Sequence, residues 1–166
     1  MSKLDWVRDL VRSEQQLEEA DMVDFTIGFD GQKAVEDETH IFLEKLKESF
    51  VDYSSAFNQM KGVAIGNIKI YGIANTKADF MLFRNGQKMI FTMKKPGTVA
   101  IKTSHSGFVP GTPAAVETSS PTDEDVIEAQ WGAFNELHWC FRKTRITDLD
   151  NMVRFYLSRF IRESAR

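Results

Sequence analysis

The side chains best suited to chemistry in this chain are its histidines and its single cysteine. The histidines are far apart, at His40, His105 and His138. Metal sites and nucleophilic sites use such groups at short spacings, as in CxxC or HExxH, and neither spacing occurs here. His138 and Cys140 would share one side of a strand but lie on different faces of a helix, so a Cys–His nucleophilic pair is one interpretation. Because Cys140 lies between Trp139 and Phe141, a buried and inert thiol is the favoured interpretation.

Motifs for phosphate binding and acyl transfer are also absent. No GxSxG elbow occurs, and the Gly-Val-Ala-Ile-Gly segment at 62–66 lacks the continuation of a phosphate-binding loop. A metal site would combine two carboxylates with His40, and Glu36 lies one helical turn from that histidine. The acidic runs at 36–38 and 123–125 are better explained as helix N-termini, where the helix dipole favours negative charge. We therefore expect no catalytic site, no metal and no cofactor.

The charge of the chain is polarised along the sequence. Residues 1–60 contain 6 Lys and Arg against 14 Asp and Glu, whereas residues 61–110 contain 8 against 1. Residues 111–166 contain 7 against 9, which leaves a formal net charge of −3. Such a distribution governs association with charged partners and says nothing about the fold.

Four lysines in the middle of the chain alternate with apolar residues, as expected for one face of an antiparallel sheet. They are Lys69, Lys88, Lys94 and Lys102. Tyr71 shares that face and is the candidate for stacking on a nucleic-acid base. The functional interpretation is a surface that binds an anionic partner, either nucleic acid, anionic lipid or an acidic protein. The alternative is a solvated face whose lysines protect the sheet edges from aggregation.

The end of the chain and Trp139 supply the remaining candidates for binding. The apolar stripe of the last helix is accompanied by Arg154, Arg159 and Arg162. A basic amphipathic helix can bind a membrane surface, but a core helix with a solvated basic face is favoured. If the preceding segment is a helix, Trp139 points away from its apolar stripe and is a candidate interface anchor. The alternative is that Trp139 packs beneath a linker.

Periodicity predicts the elements that hold these side chains. A spacing of 3.6 residues predicts an amphipathic helix over 2–20 and a long helix over 34–60. Alternation predicts a strand over 22–29 and four more over 68–73, 79–84, 87–94 and 98–104. Asn85-Gly86 is typical of a type I′ hairpin, and the Lys-Pro-Gly-Thr segment at 95–98 is typical of a type II turn. The meander should place Met89, Phe91, Met93, Val99 and Ile101 opposite the lysines, with Phe80, Phe83 and Phe91 in the core.

The last third of the chain is harder to assign. Residues 107–120 have the composition of a flexible linker. A helix is favoured for 126–142 because Ser120, Pro121 and the acidic run resemble a helix start. Two strands with a break near Phe134 and Asn135 are the alternative. Thr147 is predicted to cap a final helix that runs nearly to the end.

The predicted fold class is α+β, with an antiparallel meander of four or more strands packed against the long N-terminal helix and C-terminal helices. Residues 1–31 are expected to form an appendage of a helix and a strand, and residues 32–166 a single domain. No apolar run reaches the length of about 18 residues that a membrane span needs. The single cysteine and the absence of a signal-peptide pattern lead us to expect a cytoplasmic location.

Over residues 34–166 the order of a helix, a meander and further elements resembles that of type III secretion chaperones. The resemblance rests on topology and on the small, acidic composition, and it requires strands over 126–142. The lysine-rich sheet departs from the chaperone pattern. The resemblance implies a dimer that binds an extended segment of a partner protein.

Together these features predict a non-catalytic, cytoplasmic protein-binding or adaptor module that associates with itself or with another protein. One alternative is secretion-chaperone-like binding of a partner. Another is binding of nucleic acid or an anionic membrane surface by the basic sheet face. A third hypothesis is an enzyme or small-ligand carrier with an apolar pocket between the meander and the helices.

Overall fold

The computed structural model describes residues 3–20, 31–74, 78–105 and 124–165. The strand predicted at 22–29, the linker predicted at 107–120 and the start of the helix opening at 120–123 lie outside these ranges.

Three helices and one sheet make up the described structure. The helices are α1 (Asp5–Ala20), α2 (Gly31–Lys61) and α3 (Leu149–Glu163). The strands are β1 (Lys69–Gly72), β2 (Phe80–Arg84), β3 (Gln87–Lys95), β4 (Thr98–His105), β5 (Glu124–Trp131), β6 (Leu137–Phe141) and β7 (Thr144–Arg145). They form a seven-stranded antiparallel sheet whose spatial order follows the chain. The α+β prediction is confirmed, and the meander is longer than its four clearest strands indicated.

The two predicted tight turns are present. Asn85 and Gly86 both have positive φ, at 49° and 80°, as a type I′ turn requires. Gly97 has a φ of 84° and lies directly beneath α2. A Cβ at Gly97 would be 2.9 Å from Cγ1 of Val35, and the Gly97 N–H donates to Oγ1 of Thr39 at 2.8 Å. This turn therefore requires glycine for two reasons, its backbone conformation and the closeness of the helix.

The core lies between one face of the sheet and the helices α2 and α3. Phe80 and Phe91 stack at 4.7 Å between ring centroids on adjacent strands, and Phe50 of α2 packs on both. Tyr156 of α3 meets the Phe91 ring edge-on at 6.2 Å. The five predicted inward positions on β3 and β4 do face the helices. Phe83 does not, because it pairs with Lys69 and Lys88 on the opposite face, so its predicted place in the core is wrong.

Residues 124–141 form a hairpin, and the favoured helix prediction for 126–142 is wrong. Alternating pairs Ile127–Phe141 and Ala129–Trp139 face the helices. The strand conformation prevails because β4 would otherwise be an unpaired edge with a buried apolar face. The two described residues of the acidic run, Glu124 and Asp125, have partners in the tertiary structure instead. Asp125, for example, accepts a hydrogen bond from the Tyr156 hydroxyl at 2.9 Å, and burial together with this carboxylate raises the pKa of Tyr156.

Helix α3 begins one residue later than predicted. The Asp148 carboxylate, and not Thr147, caps the helix by accepting hydrogen bonds from the backbone N–H groups of Asp150 at 2.9 Å and Asn151 at 3.4 Å. Asp148 therefore stabilises α3 from outside its first turn, where the helix dipole also favours a negative charge.

Helix α1 forms as predicted but contributes nothing to this core. None of residues 3–19 is buried, and Leu4, Trp6 and Val11 are exposed. The buried cluster is built from α2, α3, the sheet and Ile68. The stability of the domain should therefore be independent of α1.

We predict that deleting residues 1–20 changes the free energy of unfolding by less than about 0.5 kcal/mol, as for surface changes. Phe50→Ala, the positive control, should lose about 3–5 kcal/mol because it opens a cavity beside the rings of Phe80 and Phe91. Guanidinium unfolding followed by circular dichroism measures both. A loss above about 1 kcal/mol on truncation would mean that α1 is part of the folded core.

Candidate functional site

The predicted lysines lie together on the outer face, which we define as the sheet face that points away from α2 and α3. Lys69, Phe83 and Lys88 are neighbours across three strands, and Lys102 is opposite Ile90. Tyr71 lies on the same face and is exposed. The sheet register thus brings the predicted binding residues of the meander together. The centre of this face is apolar and half-buried, with Met81, Phe83, Ile90 and Val126.

A salt bridge between Lys94 and Glu124 crosses the outer face. One row of paired residues crosses the three central strands at Thr92, Ala100 and Val126. Lys94 lies two residues beyond this row on β3, and Glu124 lies two residues before it on β5, so the two are on opposite sides of the row. The line joining the two side chains therefore passes over Ala100, which is fully buried. The ion pair covers the middle of the sheet that α2 and α3 leave open.

Glu124 also reduces the positive charge that this face presents. Its hydrogen bond from Lys94, together with the charges of Lys94 and Lys102, lowers the pKa of its carboxyl group. Glu124 is therefore ionised at neutral pH and sits beside two of the four predicted lysines. An anionic ligand would have to compete with this carboxylate for Lys94 and Lys102.

We predict that Lys94→Met raises the pKa of Glu124 toward its ordinary value. The carboxyl pKa in the folded protein is depressed, so the stabilisation exists above the unfolded pKa and is lost as the pH falls through the folded one. Carbon-13 NMR titration of the Glu124 carboxyl measures the shift. Lys88→Met, on the same face and away from Glu124, is the control. An equal Glu124 pKa in the two variants would contradict the assignment.

The C-terminal arginines lie on a helix whose apolar stripe is already used. Val153, Tyr156 and Phe160 of α3 are buried in the core. Arg159 donates to Glu163 at 2.9 Å and lies 4.0 Å from Asp125, and the exposed Arg162 donates to the Ser158 carbonyl at 3.3 Å. The exposed Arg154 completes the predicted set. This position matches the interpretation of α3 as a core helix whose solvent-exposed side is basic.

Trp139 is not an exposed anchor, so that part of the prediction is wrong. In the strand conformation its side chain faces α2, where its ring stacks on Phe42 at 4.2 Å with a 14° angle between the planes. The neighbouring Cys140 is a buried free thiol, as predicted. The tryptophan thus stabilises the contact between β6 and α2.

A feature that the sequence analysis missed lies at the connection between β5 and β6, which we call the aromatic tip and define as residues 131–136. Phe134 is 96% exposed and Trp131 is 47% exposed. Phe134 and Asn135 both have a φ of 57°, in the left-handed region. Bulky side chains rarely adopt this conformation, and it is concentrated at functional sites. The break in alternation near Phe134 was its only sign in the sequence.

A cleft of about 550 Å³ opens beside the aromatic tip. It is lined by Ala34, Glu38, Trp131, Asn135, Glu136, Leu137, His138 and Arg145. Nε2 of His138 is 3.6 Å from Oε2 of Glu136, and a Cβ at Gly132 would be only 2.3 Å from that same nitrogen. The imidazole therefore lies directly against the backbone of the tip. The cleft offers an aromatic surface, two carboxylates and a guanidinium within one depression.

Within the described ranges, no three His, Cys, Asp or Glu side chains are placed to hold a metal ion. Among the described helices, none combines the length and the apolar character that crossing a bilayer requires.

Comparison with known proteins gives no match to a family model, to a curated protein or to a solved structure. The hairpin of β5 and β6 supplies the strands that the resemblance to type III secretion chaperones required. Since no solved structure matches, that resemblance adds nothing to the argument for function.

Proposed function

We propose that this chain is a non-catalytic protein-binding module whose partner docks on the aromatic tip and the adjoining cleft. The observation that supports the proposal is the almost complete exposure of Phe134 in a left-handed backbone conformation. Phe134 and Trp131 are the anchors, and the polar residues of the cleft surround them. The partner is a second copy of the chain or a different protein.

The turn at the tip holds a phenylalanine where glycine or asparagine is usual, and it leaves the ring in water. A non-glycine residue in a sparsely populated backbone region costs of the order of 1–3 kcal/mol. Burying a phenylalanine side chain would gain about 1.5–3 kcal/mol, which Phe134 forgoes in water. Arg142 and Lys143 have positive φ because they form the two-residue hairpin between β6 and β7. Phe134 and Asn135 occupy the central positions of a similar turn, which the Glu136 N–H closes by donating to the Ala133 carbonyl at 3.1 Å. The turn therefore accounts for the positive φ, and the exposure of the Phe134 ring is the feature that favours docking.

The chemistry of the cleft suits a protein partner. Interface anchors are often aromatic side chains beside polar groups that exclude or bind water at the rim. Glu38, Glu136 and Arg145 line the same cleft as Trp131. The buried thiol of Cys140 supports a reducing, cytoplasmic compartment for the interaction.

Binding of an anionic ligand by the outer face is less well supported. Glu124 neutralises part of the charge of Lys94 and Lys102, and the centre of the face is apolar. A salt-dependent affinity for nucleic acid that requires Lys69 and Lys88 would support binding by the outer face.

We predict that Phe134→Gly stabilises the fold by about 1 kcal/mol while abolishing partner binding. Glycine adopts positive φ without strain, and the substitution removes the exposed ring. The matched control is Asn135→Gly, which relieves the same kind of strain one residue away and keeps the ring. It should gain stability and retain binding.

Binding is measured by photo-crosslinking in extracts of the native host, with p-benzoylphenylalanine in place of Trp131. Unlabelled wild-type protein and Asn135→Gly should compete with the adduct, whereas Phe134→Gly should not. Sedimentation velocity over a range of concentrations shows whether the adduct partner is a second copy. Equal competition by all three proteins, or no adduct at all, would refute the proposal.

A further inference from the structure

At the end of the molecule opposite the cleft, the connection from α2 to β1 presents three aliphatic side chains to solvent. We define it as the aliphatic loop, residues 60–66. Met60 is 88% exposed, Val63 is 57% exposed and Ile65 is 86% exposed. Single exposed apolar side chains are common on protein surfaces. A cluster of three within six residues is unusual and indicates an interaction site.

Hydrogen bonds fix the backbone of the loop at both ends. The side-chain amide of Asn58 donates to the Ile68 carbonyl and accepts from the Ile68 N–H, each at 2.9 Å. Nζ of Lys61 donates to the Ile65 carbonyl at 2.8 Å. These contacts hold the backbone on both sides of the loop while Met60, Val63 and Ile65 remain exposed.

Buried Arg84 ties the aliphatic loop to the rest of this end. Its Nε donates to the Gly66 carbonyl at 2.7 Å, and one terminal nitrogen donates to the Ile161 carbonyl at 2.9 Å. The side-chain amide of the neighbouring Asn85 donates to the Ser164 carbonyl at 2.8 Å. The loop, the β2–β3 turn and the C-terminus of α3 therefore form one hydrogen-bonded surface, which we call the basic end.

The charge of the basic end is strongly one-sided. Its segments at 57–74, 80–92 and 158–165 contain six basic residues and one acidic residue. Arg84 is buried on backbone carbonyls and Arg159 lies beside Asp125 and Glu163, so the surface charge comes from Lys61, Lys69, Lys88 and Arg162. The one acidic residue, Glu163, is paired with Arg159 at 2.9 Å. Lys61, Lys69 and Arg162 are exposed around the loop. The opposite end differs, since two carboxylates line its cleft.

We propose that the basic end docks on an anionic membrane surface, with Met60, Val63 and Ile65 entering the interfacial region. Peripheral binding of this kind combines buried apolar area with attraction between basic residues and anionic lipid headgroups. Nucleic acid fits less well, because aliphatic side chains do not provide the aromatic platforms on which bases stack. An apolar groove on a protein partner would not require positive charge around the loop. Anionic lipid headgroups would attract that charge, so a membrane surface accounts for both features.

The test is co-sedimentation of the full chain with vesicles of phosphatidylcholine alone or with 30% phosphatidylserine. We expect binding only to the phosphatidylserine vesicles, weakening as salt is raised. The double variant Val63→Ser, Ile65→Ser should bind at least about tenfold more weakly, as loss of apolar insertion predicts. Lys69→Gln and Lys88→Gln should each lose about fivefold.

A probe in the aliphatic loop separates insertion from simple adsorption. An environment-sensitive fluorophore on Ile65→Cys should brighten and shift to the blue on phosphatidylserine vesicles. The same label on Phe134→Cys, at the opposite end, should not respond. Unlabelled Phe134→Gly should bind vesicles like the wild type, so lipid binding and partner binding at the aromatic tip can fail independently.

Three results would overturn the proposal. One is the absence of binding to phosphatidylserine vesicles at low salt, and another is equal binding by the loop double variant. The third is a dimer in sedimentation velocity that the same double variant dissociates, which would make a second copy the occupant of the loop. Circular dichroism melts of each variant verify that the fold is intact.

Discussion

The structure depends on burying one face of the sheet beneath two helices. Phe80 and Phe91 stack on adjacent strands, and Phe50 and Tyr156 bring α2 and α3 onto them. An antiparallel sheet can leave its other face to solvent, so this one-sided packing determines which surfaces stay exposed. It leaves the outer face, where the ion pair of Lys94 and Glu124 lies across the strands, and two ends at which helix termini meet strand connections.

The two ends are built by different physical means. At the basic end a buried guanidinium, Arg84, satisfies carbonyl groups of the aliphatic loop and of α3, so exposed apolar side chains are held on a hydrogen-bonded support. At the opposite end Gly97 lets α2 approach a turn closely, and the next hairpin extends past it as the aromatic tip. The proposed membrane and protein surfaces are thus separated by the length of α2, an arrangement that would let one molecule connect a membrane to a partner.

The errors of sequence interpretation have a common physical origin. Residues 126–142 fit both helical and strand periodicity, and the local acidic start favoured the helix. Only the pairing requirement of β4 resolved the ambiguity, and it also turned Trp139 inward against Phe42. Phe83 shows the same limitation, because its hydrophobicity was clear but the face on which it lies depends on the strand register.

The sequence by itself determined the α+β class, the helices α1 and α2, the four central strands and the shared face of the lysines, because each follows from local periodicity or turn chemistry. Only the tertiary structure decided the properties of the candidate sites. The ion pair of Lys94 and Glu124 joins residues that are distant in the chain. The exposure of Phe134 and Ile65 and the burial of Arg84 depend on which elements pack nearby. Periodicity records how a residue repeats along one element, and it carries no information about which distant element covers that residue.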